Sequence, residues 1–287
     1  MTGAHLRLAC DGVETRAWGL GIVDLDGVVL QIGSEGGGTL CYGVNAHTGP
    51  LLFVPLIHAG AHVGNGKALD DDSLLLIPHG ADFSIRVRRR AHAWLSVALP
   101  ADTVIDRDRA TGSGRHATPP GTVAALRRVS QTIAQALLGQ PPGSPAHRAA
   151  RAELLAAAHD CLASETVPPM VTGRPRLDRA QIIRRSMDAI DAAPILPTVT
   201  DLVTIVGVNS RTLLRTFHET FGMPPKRYLM LRELHAVRRQ LTTGMTINTT
   251  VAEVLVRNGI WEFGRFAGRY RRQFGEFPSE TLRRAQG

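Results

Sequence analysis

The sequence predicts a multidomain α+β protein: a β sandwich or barrel in front, a helical hairpin after it, and an all-α domain with two helix-turn-helix units at the rear. Three observations carry this. The first hundred residues hold short apolar or alternating segments closed by Gly, Pro, Asp or Asn, as strands require. Beyond residue 122, apolar residues recur at three- and four-residue steps, the period of an amphipathic helix. Charge is also segregated. Residues 176–287 hold 18 Arg and Lys against 10 Asp and Glu and so carry the whole formal charge of +8, whereas the residues before them hold 15 of each sign. A neutral front joined to a basic helical rear is the layout expected when one part senses a signal and the other holds phosphate backbone.

With 287 residues and 44% apolar content, the chain is long enough for about two domains with their own cores. Residues 1–12 lack a basic segment followed by an apolar run, and no stretch approaches the roughly 18 consecutive apolar residues of a spanning helix. A cytoplasmic protein with no membrane partner is expected. Cys10, Cys41 and Cys161 are too scattered for a disulfide framework and form no CxxC pair. They read as buried thiols, with thiol sensing left open.

In the front part, residues 27–33, 51–57, 73–77, 82–87 and 93–99 are the expected strands. Between them, Gly36-Gly37-Gly38 and residues 60–72 are expected to be exposed, turn-rich loops. After a break at 111–121, Val123, Leu126, Val129, Ile133 and Leu137 mark one amphipathic helix. Leu154, Leu155, Ala158 and Leu162 mark a second, and residues 139–144 join the two. The apolar faces of this hairpin belong either to the core or to a dimer seam. The resulting division is 1–110 as a ligand-sensing β domain, 122–164 as a hairpin serving dimerisation, 165–176 as a Pro- and Gly-containing linker, and 177–287 as the DNA-binding domain.

The basic domain reads as seven helices, six of which have bounds legible in the sequence. The first covers 179–192 and stops before Pro194. Residues 198–206 form a short apolar helix opened by Thr198 with Asp201 three residues on, close to a capping box, and closed by Gly207. Asn209 or Ser210 caps the next, 211–221, which ends at Gly222. Helix, glycine turn, helix is a DNA-binding signature. Here Leu213, Phe217 and Phe221 face inward, leaving Arg211, Thr212, Arg215, Thr216 and His218 outside. A long helix over 226–242 turns Tyr228, Leu231, Leu234, Val237 and Leu241 to its inner side. The design then repeats, with a short helix at 249–257, a turn at Asn258-Gly259, and a second recognition helix at 261–274. The inner residues of that helix are Phe263, Phe266, Tyr270 and Phe274, and its charge comes from Arg265, Arg269, Arg271 and Arg272. Gly264 and Gly268 each cost about 1 kcal/mol of helix propensity, which points to a close contact, outside the domain or within it.

The pattern Gly207, Ser210-Arg211, Leu213, Arg215, Phe217, Phe221-Gly222, Pro225, Tyr228, Leu234, Arg238, Leu241, Val251-Ala252, Gly259, Arg265-Phe266, Tyr270, Phe274-Gly275 and Pro278-Ser279 resembles the AraC/XylS family of bacterial transcription regulators. The likeness covers about residues 195–285 and is closest to the XylS-like branch. Ile260 stands where Phe is usual, and Glu233 where a basic or apolar residue is more common. The resemblance implies a cytoplasmic bacterial protein, a homodimer, with double-stranded DNA as a partner and RNA polymerase as another if it is an activator. It also implies that both recognition helices enter successive major grooves. Base-facing positions then match Arg211, Leu214 and Arg215 in the first unit, beside Thr212, and Gly264, Arg265 and Gly268 in the second. An Arg fork can reach guanine O6 and N7 together. Arg227, Arg238, Arg239, Arg269, Arg271 and Arg272 fall to phosphate contacts or to solvated faces.

By position and strand pattern the front part resembles the cupin-like domain of such regulators, implying a small-molecule effector. The XylS likeness suggests an aromatic carboxylate, with Arg16, Arg86 or Arg88 as its counter-ion or simply as surface arginines. His58, His62 and His79 invite a metal reading, but the HxH-plus-Glu arrangement of metal-binding cupins is missing, so no metal or other cofactor is expected. No nucleophile, base and orienting group fall at a recognised spacing, so no catalytic residue is assigned. A ligand-responsive regulator leads; the alternative is a metal- or cofactor-dependent cupin-type enzyme with an appended DNA-binding domain.

Overall fold

The computed structural model describes residues 4–10, 18–36, 38–87, 91–103, 105, 112–163, 179–243 and 249–286, with residues 4–9 described by backbone alone. The protein is mixed α+β, sheet-rich in front and helical behind. It divides into two compact units, Met1–Leu8 with Thr15–Arg174 and Ala9–Glu14 with Pro175–Gly287.

The front unit is built of two sheets and a helical hairpin. Its strands are β1 (Ala4–Cys10), β2 (Gly19–Asp24), β3 (Val29–Glu35), β4 (Thr39–Asn45), β5 (Leu51–Pro55), β6 (His62–Gly64), β7 (Lys67–Ala68), β8 (Ser73–Ile77), β9 (Asp82–Val87), β10 (His92–Ala98) and β11 (Gly114–Ala117). One sheet has the order β1-β4-β9-β6-β7 and the other β11-β8-β5-β10-β3-β2. Register fixes the faces of the larger sheet: Leu95 lies opposite Ile32 and Val54, and Ser96 lies opposite Gln31 and Phe53. On one face Leu30, Leu52, Val54, Leu74, Leu76, Leu95 and Val97 share a core with the hairpin. On the other, Leu51, Phe53, Leu75, Ile77, Trp94 and Ala98 share one with Cys41, Phe83, Ile85 and Val87 of the smaller sheet. Strands β5 and β8 are continuously apolar because both of their faces are covered.

Tight turns explain strands that periodicity alone does not locate. Asp26 and Gly27 both have positive φ (55° and 84°), the type I′ chemistry that matches strand twist, and so join β2 to β3. Asn65-Gly66 (46° and 79°) does the same between β6 and β7. The expectation of an exposed loop over 60–72 is therefore corrected, since His62, Val63 and Leu69 are buried there. Gly36 and Gly38 are buried as well, Gly37 lies outside the described residues, and the break at 111–121 contains β11.

The hairpin consists of α1 (Thr122–Leu137) and α2 (Pro145–Leu162), the second opened by Ser144, whose side chain accepts from the His147 backbone N–H, with Pro145 in the first turn. Leu126, Ile133 and Leu137 are buried, with Val129 packed beside them, against the larger sheet. This settles core against seam for that stripe. The expected dimer seam through Ile133 is corrected, because the sheet already covers it. Cys41 and Cys161 are buried and Cys10 is partly so, and none of the three is in a disulfide.

The rear unit comprises α3 (Arg179–Ala192), α4 (Val199–Val206), α5 (Ser210–Phe221), α6 (Pro225–Thr243), α7 (Val251–Arg257), α8 (Phe263–Phe274) and α9 (Pro278–Gln286). Aromatic contacts lock its first half: Tyr228 stacks on Phe221 at 4.8 Å and meets Phe217 edge-on at 5.7 Å, while its hydroxyl donates to Met187 Sδ at 3.1 Å. Its second half packs Leu234, Val237, Leu241, Val254, Leu255, Ile260, Phe266 and Tyr270 together. Ile260 thus fills the core role that its apolar character predicts. Among the described residues, no helix is long and apolar enough to cross a membrane. The linker expected at 165–176 lies outside the described residues.

Candidate nucleic-acid interface

Two helix pairs of the rear unit present exposed basic residues. The α4–α5 pair begins with a capping box: Asp201 N donates to Thr198 Oγ1 at 3.2 Å, and Thr198 N donates to Asp201 Oδ2 at 2.8 Å. Gly207, at φ 74°, ends α4 in the left-handed region, and Asn209 Oδ1 then accepts from Thr212 N at 2.8 Å to start α5. The α7–α8 pair uses the same devices. Thr250 and Glu253 form the box at 3.2 and 3.0 Å, and Gly259 turns the chain at φ 73°.

On α5, Arg211, Leu214 and Arg215 are exposed and Thr212 is half-buried. Arg215 donates from Nε to Glu219 Oε1 at 2.7 Å, a pairing that lowers the Glu219 pKa and raises that of Arg215. Thr216, expected outside, is buried; the inner face spans Leu213, Thr216, Phe217, Thr220 and Phe221 and is wider than its aromatic positions alone suggest.

On α8, Gly264 and Arg265 are exposed, and Arg265 pairs with Glu262 at 2.9 Å. A Cβ added at Gly264 would meet nothing within 4 Å, and one at Gly268 would approach only the Arg272 tip, at 3.8 Å. Neither glycine is required by packing inside the domain. Arg272 is exposed, as is Phe263, which was expected to face inward; Phe263 opens the helix, ahead of the turn that reaches the core. Trp261, just before the helix, is 73% exposed.

Other arginines turn inward. Arg269 lies 4.0 Å from Glu233 Oε2 and over the Phe266 ring, so its packing within the domain competes with the DNA contact expected of it. Arg238, expected at phosphate or in solvent, lies 4.4 Å from the Phe274 ring centre and 3.3 Å from Glu276. Glu276 also accepts from Thr281 Oγ1 at 2.7 Å and pairs with Arg284, while Thr281 bonds the Tyr270 hydroxyl at 2.9 Å. Burial acts to raise the Glu276 pKa, but Thr281, Arg238 and Arg284 prevail and lower it.

This clamp joins α6, α8 and α9, and Glu276→Gln is expected to cost about 1–2 kcal/mol at neutral pH. Because the folded pKa is lowered, the stabilisation is full above the ordinary value of 4.5 and disappears as pH falls through the folded value. Urea melts should therefore show the gap between wild type and variant closing in acid. A gap independent of pH would show that the charge does not matter.

Between the sheets of the front unit lies a polar cluster that has no sequence signature. Glu35 accepts from Thr39 Oγ1 at 2.7 Å and from Trp94 Nε1 at 3.1 Å, and lies 3.2 Å from His92 Nε2. Burial favours its neutral form, but these bonds prevail and lower its pKa. The His62 ring sits 5.2 Å from that of His92 and 6.1 Å from Phe53. The histidines considered for a metal are not gathered here. His58 is exposed and offers its carbonyl to His62 Nδ1, and His79 bonds the His47 carbonyl. Arg86 follows the strand alternation opposite to Phe83, Ile85 and Val87 and so faces away from this interior. Arg16 and Arg88 lie outside the described residues.

Residues 202–284 match a family model described as a helix-turn-helix domain. A probable thc operon regulatory protein of Rhodococcus erythropolis is 34% identical over 132 residues, 45% of this chain and 37% of the relative. XylDLEGF operon transcriptional activator 1 of Pseudomonas putida is 38% identical over 77 residues, 27% of this chain and 23% of the relative. The chain spans well under half the length of these curated relatives. The crystal structure of a probable AraC family transcriptional regulator from Rhodopseudomonas palustris shares 33% identity, covering 37% of this chain and 98% of that chain, with a TM-score of 0.34. These sequence matches identify a helix-turn-helix protein. The chain belongs to the AraC/XylS family of regulators.

Proposed function

We propose that the protein is a sequence-specific, DNA-binding transcription regulator whose front unit, a cupin-like β domain, responds to a small-molecule effector. The observation that carries this reading is the outer face of α8, where two glycines with no internal packing role lie beside the exposed Arg265 and Arg272. A helix face bared in this way suits close approach to a DNA groove. In this reading α4–α5 and α7–α8 are two helix-turn-helix units. Arg211, Leu214, Arg215 and Arg265 read bases, Thr212 assists, and Gly264 and Gly268 admit the duplex. Arg272, and Arg269 if it leaves Glu233, hold phosphate. The protein works in the bacterial cytoplasm as a homodimer, joined by a surface other than the Ile133 stripe, and as an activator it meets RNA polymerase.

The test separates reading from holding. Arg265→Ala should cost about 1–3 kcal/mol on the operator and leave random duplex almost unaffected, whereas Arg272→Ala should weaken both alike. Equal losses on both DNAs for Arg265→Ala would remove the base-reading role.

A further inference from the structure

We propose that the interior between the two sheets of the front unit binds a small molecule through that molecule's hydrogen-bond donors, a hydroxyl- or ammonium-bearing compound and not a carboxylate. The proposal rests on the effector reading above and deepens it, in a direction opposite to the aromatic acid that the XylS likeness suggests.

Two side chains define the chemistry. Gln31, 2% exposed on β3, has a buried Oε1 with no hydrogen-bond partner. His62, fully buried on β6, has a buried Nε2 with none. Its other nitrogen, Nδ1, lies 3.2 Å from the His58 carbonyl, which only accepts, so Nδ1 carries the proton and Nε2 presents a lone pair. Burial holds the imidazole neutral, with its pKa pushed down to about 4. Both orphaned atoms are therefore acceptors, and each buried acceptor left unpaired is costly until a donor arrives.

The surroundings agree with that sign. Gln31 stands opposite Ser96, which stands opposite Phe53, and His62 lies against the same Phe53 ring from the smaller sheet. Phe53 and Trp94, their rings 5.8 Å apart, supply apolar surface in the same interior. Trp94 is seated over Gly33, where an added Cβ would collide with the indole, and its N–H is committed to Glu35. Glu35 places a carboxylate on the same interior face. Among the described strands, register places Lys67 of β7 and Arg115 of β11 on this face, both at sheet edges; Lys67 is exposed, and the Arg115 guanidinium is already paired with Asp70. A ligand carboxylate would meet the His62 lone pair and the Glu35 anion, whereas a hydroxyl or ammonium can donate to either orphaned acceptor.

Three probes that differ only in headgroup test this on the full-length protein at constant ionic strength: benzyl alcohol, benzylamine and benzoate, each titrated by calorimetry and thermal melting. At least one donor probe should bind with an apparent Kd about tenfold or more below that of benzoate, the factor expected when a buried acceptor gains or lacks its partner. Gln31→Leu, which removes one orphaned acceptor, should leave Tm unchanged or raise it and should weaken the donor probe at least tenfold. Benzoate binding as well as the donors, or no binding by either donor, overturns the proposal. So does undiminished donor binding by Gln31→Leu. Should that variant fail to fold, the probe comparison on the unaltered chain, repeated with His62→Phe, decides. Donor binding by a protein with no affinity for DNA would keep the site and remove the regulator reading.

Discussion

Ile133→Glu is expected to unfold the front unit. Ile133 is 4% exposed and lies within the core formed by α1, α2 and the larger sheet, among Leu30, Leu52, Val97 and Leu154. The substitution removes an apolar side chain and leaves a carboxylate where no cation is available in that cluster, so the loss should reach about 4 kcal/mol or more, the range associated with a buried unpaired charge. Ile133→Val, which deletes one methyl group, should cost only about 0.5–1.5 kcal/mol. Denaturant melts of both variants, followed by circular dichroism and size-exclusion chromatography, check this. A folded, monomeric Ile133→Glu protein would return the stripe to a dimer seam and contradict the packing described above.

The rear unit was largely legible because its signals are local. Thr198 with Asp201, and the glycines at 207, 222 and 259, mark helix ends within a few residues of one another. Errors there concern faces more than helices. A stripe through Leu213, Phe217 and Phe221 alone leaves Thr216 outside, yet a helix packed on two neighbours buries a wider arc. Arg238 and Arg269 looked free because the partners Glu276 and Glu233 are remote in sequence or on another helix. Glu233, a departure from the family pattern, makes sense beside Arg269.

The front unit was legible where strands are apolar on both faces, as in β5 and β8. Strands β2 and β4 escaped because each contains glycine and lacks a clean alternation, and β6 and β7 are too short to show a period. The Asp26-Gly27 and Asn65-Gly66 turns were the available signals for them. The interior cluster had none. Gln31 and Glu35 come from β3, His62 from β6 and His92 with Trp94 from β10, and only strand register together with the packing of one sheet on the other brings them together.

The central claim, that this chain holds duplex DNA through the basic surface of its rear unit, is tested most directly by the salt dependence of binding. The segment from residue 176 onward carries a net +8, and several of its arginines are exposed on α5 and α8. If four to eight phosphates are neutralised, the affinity of the full-length protein for duplex DNA should fall with a log–log slope of about −4 to −8. Raising salt from about 50 to 200 mM would then cost on the order of a hundredfold to tens of thousandfold in affinity. Fluorescence anisotropy on a labelled duplex across that range gives the slope. A steep negative value is the predicted result, and a slope near zero would contradict the account.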